Sequence, residues 1–261
     1  MERKFVNYEV ENGIAVVTIN NPPMNSLSAA VINELTDVLD ELDEKDDIVI
    51  AIITGGGNKA FVAGADIKAF GDLVGKREMV VEGSRGMQKC FSKVENSSKV
   101  VIAAINGMAL GGGCELAVAC DIRIIAENAL IGVPEVRLGL IPGAGGTQRL
   151  VRLVGKGKAK LMCLSGDFYG AKDALEMGLA ERVVPAGEAV NEARKMAQAF
   201  LGNAPLALRA AKRAINEGSD MSLEDGLIME ASLVGDLFMT EDLREGAAAF
   251  LEKRFPAYKG K

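Results

Sequence analysis

Two short apolar runs limit the possible folds of this 261-residue chain more than any other feature of its sequence. IVIAIIT at 48–54 and VVIAAIN at 100–106 contain no charged residue and many β-branched ones. Because neither face of such a strand is polar, both faces must be covered, as they are in a parallel sheet between helices. The segments 29–44 and 78–95 are predicted to be helices. Strands that alternate with helices in this way indicate an α/β fold.

Four further segments have the composition of strands. FVNYEV and IAVVTIN flank Glu11-Asn12-Gly13, and they are predicted to pair as a β-hairpin because Asn-Gly is a preferred hairpin turn. DIRIIAE at 121–127 alternates between apolar and polar residues, and LAERVVP at 179–185 is a similar short run. The predicted strands therefore extend to about residue 185.

The last quarter of the chain is predicted to be helical. From about Glu188 onward apolar residues recur at helical spacing, with interruptions at Pro205, at Gly218 and around Thr240. We therefore expect an α/β core with the active site over residues 1–187 and a helical oligomerisation region over 188–261. Amphipathic helices of this kind often pack against a second copy of the chain, so we expect a homo-oligomer.

Composition argues against several classes of function. The chain has 30 Lys and Arg against 36 Asp and Glu, a net charge of −6, which argues against nucleic-acid binding. The absence of histidine excludes Ser-His and Cys-His nucleophiles, and we expect no metal site. MERKFVNYEV at the start has no apolar signal core, and the low-charge stretch 100–114 is too short to span a bilayer. We expect a cytoplasmic protein, or the mature form of an organelle protein, without a membrane partner.

Two glycine-rich turns follow the two apolar runs, TGGGNKAFVAGADIKAF at 54–70 and NGMALGGGCEL at 106–116. Glycine allows backbone N–H groups to approach a ligand closely. The second turn is predicted to lead into a helix, whose first N–H groups lack acceptors within the helix. One N–H group from each turn would suit a developing oxyanion. Neither turn matches a nucleotide-binding fingerprint, and tight turns with close packing are the alternative.

A single carboxylate lies inside the second of these turns. Between Val100 and Ile122 the charged residues are Glu115 and Asp121 alone. Burial of an unpaired carboxylate costs several kcal/mol. Glu115 is therefore paired with an arginine distant in the sequence, exposed on one helix face, or held with a perturbed pKa for proton transfer. We favour the last of these.

A second carboxyl group, that of Glu135, lies in the apolar, loop-like segment GVPEVRLGLIPGAGGTQRL at 132–150. An ion pair with Arg137 or Arg149 is the competing explanation for it. Two carboxyls beside one oxyanion hole would suit acid–base chemistry at the carbons next to a carbonyl group.

Three motifs then resemble a known family. AFVAGADIKAF, INGMALGGGCELAVACDIRI and PEVRLGLIPGAGGTQRL together resemble the enoyl-CoA hydratase (crotonase) family, and the resemblance runs from VVTIN…NSLS to EGAAAFLEKR. It implies a crotonase-like spiral of repeated strand–strand–helix units. It also implies a helical C-terminal region that builds trimers, commonly paired into hexamers. The implied substrates are acyl-CoA thioesters, so coenzyme A is part of the substrate and no separate cofactor is expected.

The resemblance also implies roles for individual residues. Two backbone N–H groups that polarise the thioester carbonyl would be those of Ala65 and Gly112. The two glutamates of the hydratases correspond to Glu115 and Glu135. The coenzyme A moiety would lie along the GADIK loop, and Lys253 resembles a residue that reaches the coenzyme A of a neighbouring subunit. The expected loop contacts are Ala65, Asp66, Ile67 and Lys68.

The leading activity is hydration of trans-2-enoyl-CoA in fatty acid or short-chain acyl-CoA metabolism, including β-oxidation. The alternative is a Δ3,Δ2-enoyl-CoA isomerase, which can run on one carboxyl. The pair Glu115 and Glu135 favours hydration, while NNPPMNSL raises the chance of the isomerase, since it is more like the hydratase/isomerase part of multifunctional β-oxidation proteins. Val133 stands where short-chain hydratases often have glutamine, which leaves the substrate preference open. The family's dehalogenases depend on a histidine that is lacking here. An RNA-binding branch is a remote alternative that the negative charge disfavours.

Overall fold

The computed structural model describes residues 3–67 and 70–261. The strands of this part are, in chain order, β1 Val6–Glu11, β2 Ile14–Ile19, β3 Ile50–Gly55, β4 Ala60–Ala63, β5 Val100–Ile105, β6 Met108–Leu110, β7 Ile122–Ala126, β8 Leu130–Gly132, β9 Phe168–Gly170 and β10 Arg182–Val184. The helices are α1 Ala29–Asp43, α2 Phe70–Leu73, α3 Arg77–Asn96, α4 Gly112–Ala119, α5 Gly146–Ser165, α6 Ala171–Met177, α7 Ala189–Leu201, α8 Pro205–Gly218, α9 Leu223–Leu237 and α10 Glu241–Glu252, with a 3₁₀ helix at Pro134–Leu138.

The predicted hairpin and first helix are confirmed. β1 and β2 pair antiparallel around a turn in which Asn12 and Gly13 both have positive φ, 50° and 78°. Glycine and asparagine tolerate this conformation best, which explains why Asn-Gly lies there. α1 begins after Ser28, whose hydroxyl accepts the Val31 N–H, as expected for a helix N-cap.

A large sheet forms the centre of the fold, with strand order β1-β2-β3-β5-β7-β10. All of its neighbouring pairs from β2 onward are parallel. Every residue of β3 is buried, and so is β5 apart from Val100. The prediction of strands covered on both faces is confirmed.

A second, smaller sheet has the order β4-β6-β8-β9. β3, β5 and β7 each contribute to the large sheet, and the strand that follows each of them, β4, β6 or β8, joins the small sheet. A helical segment then closes each turn: α2 and α3 after β4, α4 after β6, and the 3₁₀ helix and α5 after β8. The chain is therefore a spiral of strand–strand–helix units, as expected from the resemblance.

Helices cover the large sheet and complete the core. α7 packs against β3, β5 and β7 through Ala189, Ala193 and Ala197, which recur at four-residue spacing on its buried face. α7 thus contributes to the core of the sheet although it lies just beyond residue 187. The proposed division into 1–187 and 188–261 stays a prediction.

The C-terminal region is helical, with breaks at the predicted positions. α8 and α9 have no buried residue, although α8 is strongly amphipathic and α9 is rich in apolar residues. Large apolar side chains that are exposed in this region include Ile215, Leu223, Ile228, Phe238, Met239, Phe250, Leu251 and Phe255. In the part of the chain that the structure covers, no helix combines the length and the apolar character needed to cross a membrane.

Candidate active site

The two glycine-rich turns lie side by side because the strands before them pair. β4 and β6 are parallel, with Ala63 opposite Leu110 at their carboxyl ends. The chain then continues into Gly64-Ala65 in one turn and Gly111-Gly112 in the other. A Cβ atom placed on Gly111 would lie 3.6 Å from the Cα of Gly64, which shows how closely the two turns approach.

The start of α4 is pressed against β4, and this contact requires glycine. A Cβ atom on Gly113 would lie 1.8 Å from the carbonyl oxygen of Val62, which is a severe overlap. Gly111 has φ 55° and donates its N–H to the Gly132 carbonyl at 2.8 Å. The first hydrogen bond of the helix is from the Glu115 N–H to the Gly111 carbonyl, so the Gly112 N–H precedes the first intrahelical bond.

The backbone N–H group of Ala65 points away from the neighbouring Leu27 backbone. Leu27 forms a parallel bridge with Ala65, in which the Leu27 N–H binds the Gly64 carbonyl and the Asp66 N–H binds the Leu27 carbonyl. In this pattern the N–H of the central residue, Ala65, points away from Leu27. Ala65 and Gly112 therefore offer one N–H group from each turn, as a two-donor oxyanion hole would require.

Glu115 is buried in α4, a helix in which all eight residues are buried. Its Oε1 atom accepts the N–H groups of Ala144 and Gly146, both at 2.8 Å. An exposed helix face is therefore excluded, and the carboxylate is compensated by backbone donors rather than by a direct ion pair. Burial raises the pKa of Glu115, while the two N–H groups and the nearby charge of Arg149 oppose the increase.

Glu135 lies in the 3₁₀ helix, just after Pro134 at its start. A Cβ atom on Gly111 would lie 2.9 Å from its Oε1, so this carboxyl faces the glycine turn. Among the described residues its Oε2 is buried without a hydrogen-bond partner. Burial raises the pKa of Glu135 to about 7, opposed by its own backbone N–H and increased by the charge of Glu115.

The competing explanation for Glu135, an ion pair, does not hold in this structure. Arg137 pairs with Asp167, and Arg149 pairs with Glu95. Without an arginine partner, the pKa of Glu135 remains raised. The two carboxyls therefore have unlike environments: two backbone N–H groups favour the ionised form of Glu115, while Glu135 titrates near neutral pH, with a pKa of about 7.

For the other predicted site residues that it describes, the structure gives their exposure or backbone conformation but no contact with a ligand. Asp66 is partly buried and Ile67 is exposed, both directly after the Ala65 N–H. Lys68 lies outside the described residues. Lys253 ends α10 in a left-handed conformation, with φ 55°, and is exposed. Contact of any of these four residues with coenzyme A stays a prediction.

Sequence reasoning missed the groups that surround the pair of turns. Ala144 and Gly146 provide the N–H groups for Glu115, and the GAGG run in 143–146 was the available signal, because glycine-rich turns expose N–H groups. Leu27 and Met87 pack against Gly112: a Cβ atom there would lie 2.8 Å from Leu27 Cδ1 and 3.3 Å from Met87 Cε. No spacing in the sequence connects these two residues to Gly112.

Comparison with known proteins gives consistent results. The family model described as enoyl-CoA hydratase/isomerase matches residues 9–261. A short-chain-enoyl-CoA hydratase of Clostridium acetobutylicum is 42% identical over 257 residues, covering 97% of each chain. A crotonyl-CoA hydratase of Syntrophomonas wolfei is 45% identical over 247 residues, covering 94% of each. The crystal structure of an enoyl-CoA hydratase from Bacillus anthracis is similar with a TM-score of 0.94 and 41% identity, over 99% of this chain and 100% of that one.

Proposed function

The chain belongs to the enoyl-CoA hydratase/isomerase family, and from this premise we propose that it adds water reversibly to trans-2-enoyl-CoA to form 3-hydroxyacyl-CoA. It is an enzyme of the hydro-lyase class. The observation that carries the proposal is the pair of unlike carboxyls, Glu115 and Glu135, beside two turns that offer backbone N–H groups. Hydration needs a base and an acid at once, and this pair can supply both.

In the proposed reaction the thioester oxygen accepts the N–H groups of Ala65 and Gly112. As the oxygen of water bonds to C3, the electrons of the C2–C3 double bond move toward the carbonyl and form an enolate. The two N–H donors stabilise the charge that develops on the oxygen. The ionised Glu115 accepts a proton from the water, and the neutral Glu135 gives its proton to C2.

The local environments support this division of roles. Two N–H donors and the charge of Arg149 favour the ionised form of Glu115. Glu135 has an unpartnered Oε2 among the described residues and a pKa raised to about 7. After both proton transfers Glu115 is neutral and Glu135 is ionised, so Glu115 must lose a proton and Glu135 must gain one, by exchange with solvent, before the next turnover.

The proposal includes no metal and no separate cofactor, because the carboxyls and the N–H donors account for every proton and charge in the reaction. Coenzyme A would lie along Ala65, Asp66 and Ile67, with Lys68 following. We propose short acyl chains, supported by the relatives named as short-chain-enoyl-CoA and crotonyl-CoA hydratases. The place in fatty acid or short-chain acyl-CoA metabolism and the cytoplasmic location stay predictions from the sequence.

The test is the rate of crotonyl-CoA hydration as a function of pH, followed by the loss of the conjugated thioester absorbance. The active form of the pair carries one proton, so kcat/KM should follow a bell-shaped profile. Its upper limb should fall as the pH rises through about 7, because Glu135 then loses the proton that C2 needs. Hydration consumes no net proton, so its equilibrium constant does not change with pH. The ratio of kcat/KM for hydration to kcat/KM for dehydration of 3-hydroxybutyryl-CoA is therefore constant, and both reactions should have the same pH profile.

The same assay distinguishes the isomerase alternative. An isomerase would move a proton between C2 and C4 with one carboxyl and would convert 3-enoyl-CoA faster than it hydrates crotonyl-CoA. We expect the reverse ratio from the two-carboxyl site. A wild-type enzyme that isomerises well and barely hydrates would refute the proposed function.

We also propose a trimer, or a dimer of trimers, that covers the exposed apolar side chains of the C-terminal helices. Phe250 and Leu251 are largely exposed in the single chain, so their replacement does not disturb its core. The double variant Phe250→Glu/Leu251→Glu should lower the oligomeric mass, measured by sedimentation velocity, because it puts two charges into an apolar contact. Lys172→Glu, at an exposed position, changes the net charge equally and should leave assembly unchanged. An unchanged mass for the double variant would contradict the proposal.

A further inference from the structure

The loop whose backbone N–H groups bind the Glu115 carboxylate has no regular secondary structure. Residues 139–145 connect the 3₁₀ helix to α5 and contain Gly139, Gly143 and Gly145. Glycine-rich backbone has many accessible conformations. The N–H groups of Ala144 and Gly146 nevertheless both lie 2.8 Å from one carboxylate oxygen. This geometry therefore requires support from outside the loop.

Arg149 provides such support from the first turns of α5. Its Nη1 donates to the Ala144 carbonyl at 3.1 Å. Its Nη2 donates to the Ser92 hydroxyl at 3.0 Å, and Nε and Nη2 donate to Oε2 of Glu95 at 3.0 and 2.9 Å. The Arg149 side chain is only 12% exposed, so the guanidinium end of these bonds is largely buried, while the Glu95 end is 37% exposed.

The same guanidinium group also limits the backbone at Gly145. This residue has φ 114°, and a Cβ atom on it would lie 2.2 Å from Nη1 of Arg149. The carbonyl of Gly143, which directly precedes Ala144, accepts a hydrogen bond from Nε2 of Gln88 at 2.8 Å. Two successive carbonyls of the loop are thus attached to α3, one through Gln88 and one through Arg149 and its partners.

We propose that Arg149 is a positioning residue for the catalytic base: it ties the Ala144 carbonyl to Ser92 and Glu95 and so holds the Ala144 and Gly146 N–H groups at Glu115. The proposal rests on the proposed function for the role of Glu115. Arg149 acts through Ala144 and does not need to contact the substrate. A lysine cannot replace it fully, since one ammonium group lacks the planar fork that reaches three partners.

Charge gives Arg149 a second, separable effect on the same carboxylate. Burial raises the pKa of Glu115, and the charge of Arg149 is among the groups that lower it. The other titratable groups that act across this site are Glu135 and the thiols of Cys114 and Cys163. Burial raises the pKa of each of them, and the charge of Glu115 raises it further. Arg149 is therefore the cation that favours ionised Glu115, so its loss should raise the pKa of this carboxyl.

Three variants separate position from charge. Arg149→Gln removes both effects, and Arg149→Lys retains the charge but not the fork. Arg152→Gln is the matched control, because Arg152 lies one turn along α5 in an exposed ion pair with Asp220. We expect Arg149→Gln to lower kcat for crotonyl-CoA about 10–100-fold, with little change in KM, and to move the acid limb of the pH profile upward. Arg149→Lys should retain most of the loss in kcat and move the acid limb upward by less than Arg149→Gln does, because it keeps the charge but loosens the N–H groups that also lower the pKa of Glu115. Arg152→Gln should change neither.

A purely structural role would lower the melting temperature without moving the acid limb. Full kcat in Arg149→Lys would show that charge alone matters, and wild-type kcat and acid limb in Arg149→Gln would show that Arg149 has no role; either result overturns the proposal.

A second measurement does not depend on activity. The ¹³C-labelled methyl group of Ala144 should titrate with Glu115 in the wild type, should lose this titration in Glu115→Gln, and should titrate at higher pH in Arg149→Gln. An Ala144 titration that is the same in the wild type and in Arg149→Gln overturns the proposal even in an inactive protein. A wild type that does not hydrate crotonyl-CoA refutes the proposed function instead, so the two failures are distinguishable.

Discussion

Glu115→Gln and Glu135→Gln are each expected to lower kcat/KM for crotonyl-CoA hydration by about 10²–10⁴-fold. Glutamine keeps the size of the side chain and an oxygen that can still accept the Ala144 and Gly146 N–H groups. It cannot accept or give the proton that each step requires. The loss should therefore be in the chemical step, with substrate binding largely retained.

The double variant tests whether the two carboxyls act together. If they acted independently, two losses of about 10³-fold would multiply to about 10⁶-fold. Because both groups act on one water and one enolate, we expect the double variant to lose little more than the worse single variant. Hydration that survives in Glu115→Gln would contradict the two-carboxyl mechanism, and dependence on Glu135 alone would favour the isomerase.

Stability separates loss of chemistry from loss of fold in these variants. Burial raises the pKa values of both carboxyls, so the folded state disfavours their ionised forms at high pH. Replacement by neutral glutamine should therefore leave the melting temperature at or slightly above that of the wild type near pH 8. Glu176→Gln, at an exposed position, is the matched control and should change neither activity nor stability.

The large sheet could be predicted from the sequence, and the small one could not. β3 and β5 are six-residue apolar runs, long enough for composition to indicate strands. β6, β8 and β9 have three residues each, too few for any periodicity, and β6 lies inside a glycine-rich turn. Their pairing is determined by the spiral of the chain rather than by local preference.

The repeat of the spiral is also hidden in the sequence. The strands that start successive turns begin at Ile50, Val100 and Ile122. These unequal intervals arise because α3 lies between the first two strands and the short α4 between the last two. The sequence therefore has no fixed period, and only the resemblance predicts the spiral.

Within the site, burial of Glu115 could be predicted because its neighbours are all apolar or small. Its partners could not, because Ala144 and Gly146 donate backbone N–H groups. The glycine-rich GAGG run indicates exposed N–H groups but does not show which carboxylate they bind. Whether Glu135 forms an ion pair could not be predicted either, because the sequence does not show which carboxylates Arg137 and Arg149 bind. In the structure they pair with Asp167 and Glu95.

Gly112→Pro is expected to lower kcat for hydration about 10²–10³-fold, because it deletes one of the two proposed oxyanion donors. Proline is tolerated at the first position of a helix, where its missing N–H has no intrahelical acceptor. Gly112 is that first position in α4. The substitution therefore removes the donor without breaking a hydrogen bond of the helix.

Gly112→Ala is the matched control, since it adds a Cβ atom and keeps the N–H. That atom would lie 2.8 Å from Leu27 Cδ1 and 3.3 Å from Met87 Cε, both ends of flexible side chains that can shift. We expect Gly112→Ala to retain most of the activity, while Ala65→Pro should resemble Gly112→Pro because it removes the donor of the other turn. A folded Gly112→Pro variant with near-normal kcat would refute the oxyanion assignment. Equal losses in Gly112→Ala and Gly112→Pro would attribute the effect to steric crowding by Leu27 and Met87 instead.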